Sequence, residues 1–171
     1  MDSFCLLFVC TGNTCRSPMA EGIMKDMLVN GVFAHECSLP IRVLSAGTYA
    51  AHGYPATVFA IRAAGENGID IKPHRSQPLS DELVACADLI LTMEMNHTAF
   101  IRNRWPEAGE ISELKSLGME SDKRGVSDRE IVDPIGLSYT VYQEVFYELT
   151  AEITRVSPLI LSRAREKCWN R

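Results

Sequence analysis

The sequence has no apolar run near the roughly 20 residues a membrane span requires. Its one N-terminal apolar stretch, Phe4 to Cys10, has no basic residues before it and passes directly into Thr11-Gly12-Asn13, so it lacks a signal peptide's flanks. A surplus of positive charge is also missing. The net charge is −5, which argues against a broad electrostatic footprint for nucleic acid. No Cys-x-x-Cys and no Cys/His set with structural-zinc spacing occurs. The six cysteines, Cys5, Cys10, Cys15, Cys37, Cys86 and Cys168, are too sparse for a disulfide framework. Low-complexity tracts, internal repeats and a domain linker are absent too.

What remains is an ordinary globular composition of 171 residues, 46% apolar and 23% charged. A chain of that length buries roughly 70% of its unfolded surface without disulfides or metals. The expectation is a soluble, cytoplasmic, monomeric protein of one domain, residues 1–171, with reduced thiols. It should need no cofactor or metal and engage neither nucleic acid nor membrane.

Hydrophobic patterning predicts an α/β fold. Phe4 to Val9 is apolar without alternation, as in a strand buried on both faces of a parallel sheet. Ser17 and Pro18 suit a helix start, and Met19, Ile23 and Met27 give an apolar stripe. A second strand is expected over Ile41 to Leu44, then a helix opened by Pro55 and stopped near Gly68. A short helix over Asp81 to Ala87 precedes a central strand, Asp88 to Met93, and a helix from Asn96 to Asn103. A weak fourth strand falls within Ile111 to Leu117, followed by a polar loop over 118–137. Tyr142, Val145, Leu149, Ile153 and Val156 mark a last helix, which Pro158 should break or kink, leaving a basic tail over 158–171. This alternation implies a four-stranded parallel sheet with helices on both faces, and ligands bind at the carboxyl ends of such strands.

The loop Cys10-Thr11-Gly12-Asn13-Thr14-Cys15-Arg16-Ser17 stands at that edge. A strand-to-helix loop with glycine can turn its backbone N–H groups inward as an anion-binding nest, with a helix N-terminus behind it. Arg16 adds a planar fork for two phosphate oxygens. Cys10, at the base of a positive bowl, should have its pKa lowered and serve as a covalent nucleophile in phosphoryl transfer. The plain alternative is a tight turn with a buried cysteine, because a bare Cys-x5-Arg also arises by chance. A leaving group needs a proton that a thiolate cannot supply. Asp133, beside Pro134 in the longest polar loop, can supply it; the alternative is a turn-forming Asp-Pro.

The run Phe8-Val9-Cys10-Thr11-Gly12-Asn13-Thr14-Cys15-Arg16-Ser17-Pro18-Met19-Ala20-Glu21 resembles the low-molecular-weight protein phosphatase family. Ser45-Ala46-Gly47, Gly68-Ile69-Asp70, His74-Arg75-Ser76 and Asp133-Pro134 follow in that family's order. The resemblance implies a four-stranded parallel sheet with flanking helices and metal-independent removal of phosphate from proteins. It implies Cys10 as nucleophile, the amides of Thr11 to Ser17 with Arg16 as the phosphate site, and Asp133 as general acid. It further implies that Ser17 supports the Cys10 thiolate and that Asn13, with Ser45 and His74, holds the loop in shape.

Two departures bear on the substrate. Tyrosine phosphatases of the family usually carry Ile or Leu where this chain has Thr14, and an aromatic pair after the Asp-Pro where it has Ile135 and Gly136. The Thr version resembles the bacterial protein-arginine-phosphatase branch. The Thr14 hydroxyl can meet a guanidinium or its water, while missing aromatic walls weaken stacking on a phosphotyrosine ring. Drift between similarly shaped Thr and Ile is the bland alternative.

Three rival readings differ in chemistry or substrate: a tyrosine phosphatase of the same family, a thiol-dependent arsenate reductase, and an inactive anion-binding domain. The reductase needs a cysteine pair after the central strand, where Met93-Glu94-Met95-Asn96-His97 stands and Cys86 lies alone before it. An inactive domain is expected to lack Cys10, Arg16 or the acid. Cys15 shares the nucleophile's loop and is expected to trap an oxidised Cys10 as a disulfide, or else merely to pack. His35, His52 and His97 are expected to be surface or satisfied polar residues. Cys5 and Cys37 are expected to pack, Cys168 to sit near a mobile end, and Trp105 and Trp169 have no assigned role.

Overall fold

The computed structural model describes residues 3–30, 40–119 and 129–169, with the side chains of 168 and 169 outside the description. His35, Cys37, the 120–128 part of the polar loop, and the side chains of Cys168 and Trp169 therefore lie outside the described residues.

Four parallel strands form one sheet in the order β2-β1-β3-β4. They are β1 (Phe4–Cys10), β2 (Ile41–Gly47), β3 (Leu89–Thr92) and β4 (Glu110–Glu113). Every residue of β1 is buried. That burial explains its unbroken apolar run: both faces of a central parallel strand are covered by crossover helices. Phe4, Leu6, Phe8 and Cys10 face one core, shared with α1 (Arg16–Val29), α2 (Val58–Glu66) and α5 (Tyr139–Trp169). Leu7 and Val9 face the other, shared with α3 (Asp81–Cys86) and α4 (Met95–Arg104). The expected architecture of four parallel strands between helical layers is what the chain adopts.

Three expectations need correction. Ser17 does not cap α1. The helix starts two residues earlier with Cys15 at its N-cap, and Ser17 is turned toward Cys10 instead. The next helix begins at Val58 rather than Pro55, because the Thr57 side chain accepts from Ala60 N–H and supplies the cap. Pro158 does not end α5, which runs through it for 31 residues. Ile153 and Val156 before the proline, and Ile160, Leu161 and Ala164 after it, are all buried, so packing on both sides outweighs one lost backbone bond. Residues 158–167 are therefore helix, not tail, and Arg163 and Lys167 pair with Glu110 and Asp88.

β1 connects through α1 to β2 on one side, and β3 lies on its other side. The strand order reverses there, and a crevice opens beyond the carboxyl ends of β1 and β3.

Candidate active site

The loop from Cys10 to Ser17 fills that crevice. Its carbonyls are tied outward. Thr48 N–H donates to Cys10 O at 3.0 Å, Tyr49 N–H to Thr11 O at 3.0 Å, and Thr57 N–H to Thr14 O at 2.8 Å. His74 Nε2 donates to Asn13 O at 2.8 Å, which fixes its tautomer, because a carbonyl only accepts. In a planar trans peptide the next residue's N–H points opposite to the carbonyl. The N–H groups of Thr11, Gly12, Thr14 and Cys15 therefore face into the loop, as an anion nest requires. Gly47 permits this closeness, since a Cβ there would meet Thr11 O at 2.5 Å.

Asn13 is the pin. Its φ of 53° lies in the left-handed region, where Asn is better tolerated than most residues. It is fully buried, and its amide makes three hydrogen bonds. Nδ2 donates to Ser17 Oγ and Ser45 Oγ, both at 2.9 Å, and Oδ1 accepts from Gln77 N–H at 2.9 Å. Ser45 in turn donates to Glu21.

Cys10 Sγ lies 2.9 Å from Ser17 Oγ and accepts from Asn13 N–H at 3.3 Å. Burial pushes the Cys10 thiol up, contrary to the lowered pKa the sequence led us to expect. The Ser17 hydroxyl, the Arg16 guanidinium and the Asn13 amide all pull it down, without offsetting the burial.

Arg16 is itself held by carboxylates. Its side chain is 1% exposed. Nη1 donates to Glu94 and to Ile131 O at 2.9 Å, and Nη2 donates to Asp133 Oδ2 at 2.7 Å. Two carboxylates thus neutralise the cation that would otherwise stabilise a thiolate. Asp133 is placed by its strap: Ile131 N–H donates to Met93 O, Met95 N–H to Glu130, and Asp133 Oδ1 accepts from Ile135 N–H.

His97 is the clearest departure from expectation. It is buried, not a surface residue, with Nε2 2.9 Å from Thr11 Oγ1 and Nδ1 lacking any partner. Burial, with help from Arg16, drives its pKa down to about 4 against the opposing pull of Glu94 and Asp133.

Comparison with known proteins agrees with this geometry. The family described as low molecular weight phosphotyrosine protein phosphatase matches residues 5–165. The chain belongs to this family. It is a hydrolase, a protein phosphatase. A protein-arginine-phosphatase of Geobacillus stearothermophilus is 37% identical over 152 residues, covering 89% of this chain and 93% of that one. A probable low molecular weight protein-tyrosine-phosphatase, EpsP, of Ralstonia nicotianae is 36% identical over 141 residues, covering 81% and 83%. The solved YwlE arginine phosphatase from Geobacillus stearothermophilus superposes with a TM-score of 0.78 at 35% identity over 94% of each chain.

Among the expected site residues, Cys10 to Ser17, Ser45, His74 and Asp133 share one hydrogen-bonded constellation, whereas Ile135 joins it only through its backbone N–H to Asp133 and is itself 58% exposed. Cys15 Sγ faces Thr57 Oγ1 and Tyr142 OH, each at 3.4 Å. Sequence reasoning missed Glu94, His97, Gln77 and Tyr49. Glu94 and His97 follow the carboxyl end of β3, and that position alone could have flagged them. Tyr49 is 75% exposed with its ring against Phe100, and only its backbone bond to Thr11 ties it to the site.

Proposed function

We propose that this phosphatase hydrolyses phosphoarginine in proteins through a phosphocysteine intermediate, without a metal. The observation that carries the mechanism is the convergence of Cys10, Arg16 and Asp133 around one inward-facing loop. Cys10 Sγ attacks phosphorus as the guanidinium nitrogen departs, and Asp133 gives that nitrogen its proton. Asp133, now a carboxylate, takes a proton from the water that attacks the phosphocysteine; free phosphate and the thiolate result. Arg16 and the nest amides hold the phosphate oxygens, Ser17 stabilises the thiolate, and Asn13, Ser45 and His74 keep the loop shaped. Glu94 and Asp133 occupy the Arg16 fork that phosphate would take, so substrate entry exchanges carboxylate oxygens for phosphate oxygens.

Thr14 and the Ile135-Gly136 pair support the arginine reading. Thr14 Oγ1 offers a hydroxyl beside the nest, and the positions after Asp133-Pro134 carry no ring. Relatives named for arginine and for tyrosine dephosphorylation both match this chain. A second reading, protein-tyrosine phosphatase, draws on Tyr49, an exposed aromatic residue whose backbone is bonded to Thr11 of the loop.

The test compares kcat/KM on phosphoarginine and phosphotyrosine peptides, with arsenate reduction measured alongside. Phosphoarginine should be preferred, Thr14→Ile should gain phosphotyrosine activity, and Cys10→Ser should abolish both. A higher kcat/KM on phosphotyrosine overturns the arginine reading.

A further inference from the structure

Cys86, solitary in sequence, is not solitary in the fold. Its Sγ lies 3.6 Å from Cys5 Sγ, across a sequence separation of 81. Cys5 is buried near the start of β1, at the end of that strand remote from the catalytic loop, and Cys86 is exposed at the end of α3. The backbones hold this meeting in place. Asp88 N–H donates to Cys5 O at 2.8 Å, and Asp88 Oδ2 accepts from Cys5 N–H at 2.7 Å. Lys167 Nζ anchors the same Asp88 oxygen at 2.7 Å. With Cys5 fixed to Asp88, and Cys86 only two positions earlier in the chain, the sulfurs face each other by main-chain register.

We propose that Cys5 and Cys86 form a second thiol site, separate from the active site, that closes to a reversible disulfide on exposure to hydroperoxides. The accessible sulfur reacts first. The Cys86 thiolate attacks a peroxide oxygen and becomes a sulfenic acid, and the peroxide leaves as an alcohol or water after taking up a proton. Cys5 Sγ then attacks the Cys86 sulfur. The S–S bond forms, the S–O bond breaks, and hydroxide leaves as water with the Cys5 proton. Two thiols lose two electrons and two protons, and one hydroperoxide is reduced. The sulfurs must close from 3.6 Å to the ~2.05 Å of a disulfide.

Burial, reinforced by the Cys86 contact, pushes the Cys5 thiol up to about 12. Cys5 is therefore the slower, resolving partner, kept from oxidation until Cys86 has reacted. The bond would join β1 to α3 across a long loop, so the oxidised protein should resist unfolding better than the reduced one. This site stands whether the substrate is phosphoarginine or phosphotyrosine.

The full chain is treated with hydrogen peroxide, alkylated, digested and mapped by mass. A Cys5–Cys86 linked peptide pair should appear, lighter than the two free-thiol peptides by two hydrogens and restored by dithiothreitol. The Tm should rise by roughly 5 °C. Cys86→Ser should keep the phosphatase turnover of the reduced protein and lose both the linked peptide and the Tm rise. Recovery of Cys86 as sulfinic acid with Cys5 as a free thiol overturns the proposal. So does a linked peptide formed at equal yield in denaturant.

Discussion

Asp133 Oδ2 sits 2.7 Å from Arg16 Nη2, which joins the expected proton donor to the expected phosphate fork in one ion pair. The arginine is 1% exposed and the aspartate 38%. Asp133 is therefore the partner free to move when phosphate takes its place.

This pairing makes the nucleophile's acidity depend on the carboxylates. Glu94→Gln or Asp133→Asn leaves more of the Arg16 charge to act on Cys10, so the thiol pKa should fall in each variant. The pH dependence of Cys10 alkylation measures it, and an unchanged or higher midpoint contradicts the account. Asp133→Asn should also lose about 10²–10⁴-fold in kcat, the usual contribution of a general acid.

Asn13→Ala should destabilise the protein by about 3 kcal/mol and remove most turnover. The substitution leaves Ser45 and the Gln77 amide short of a buried partner and keeps a side chain at positive φ. Asn13→Gly relieves the backbone cost alone, so it should recover about 1–2 kcal/mol without restoring activity. Urea titration read with a turnover assay separates the two effects. Full activity in the glycine variant would show that the side-chain bonds do not shape the loop.

His97 has a folded pKa near 4, below its ordinary 6.5. Between those values the unfolded chain binds the proton that the folded one refuses, so the contribution to stability is complete above pH 6.5 and is lost as pH falls toward 4. The loss amounts to about 3 kcal/mol at most. Chemical denaturation at several pH values should show a shallower acid decline in His97→Gln than in the parent. Parallel declines would mean that His97 protonates freely in the fold.

Cys15 is proposed to protect Cys10. After peroxide, dithiol should restore the parent's activity and restore Cys15→Ser much less. Equal recovery sinks that role and leaves Cys15 as a packed N-cap residue beside Thr57 and Tyr142.

The topology was legible because β1 is apolar at every position and α5 repeats its stripe cleanly. The catalytic loop was legible because a short stretch of chain carries nearly all of it. Pro158 misled because a local rule about one lost N–H bond does not see the buried residues gripping the helix on both sides. His97 misled for a related reason: its place after β3 puts it at the ligand-binding edge, but only the packing of α4 turns it toward Thr11. The Cys10 pKa went the other way because burial at the end of β1, which a loop motif does not reveal, outweighs the pull of Ser17, Arg16 and Asn13. Cys5 and Cys86 could not be paired from spacing at all; the pairing needs the register of Asp88 against β1.

β1 carries a cysteine near each end, and its alternation turns them to opposite faces of the sheet. The strand thus behaves as a spacer about 17 Å long between two thiols with unrelated surroundings. An electrophilic probe that labels this protein can do so at exposed Cys86 without coming near Cys10. Labelling stoichiometry alone therefore says nothing about occupancy of the catalytic loop, and covalent ligands for this protein need their adducts assigned residue by residue.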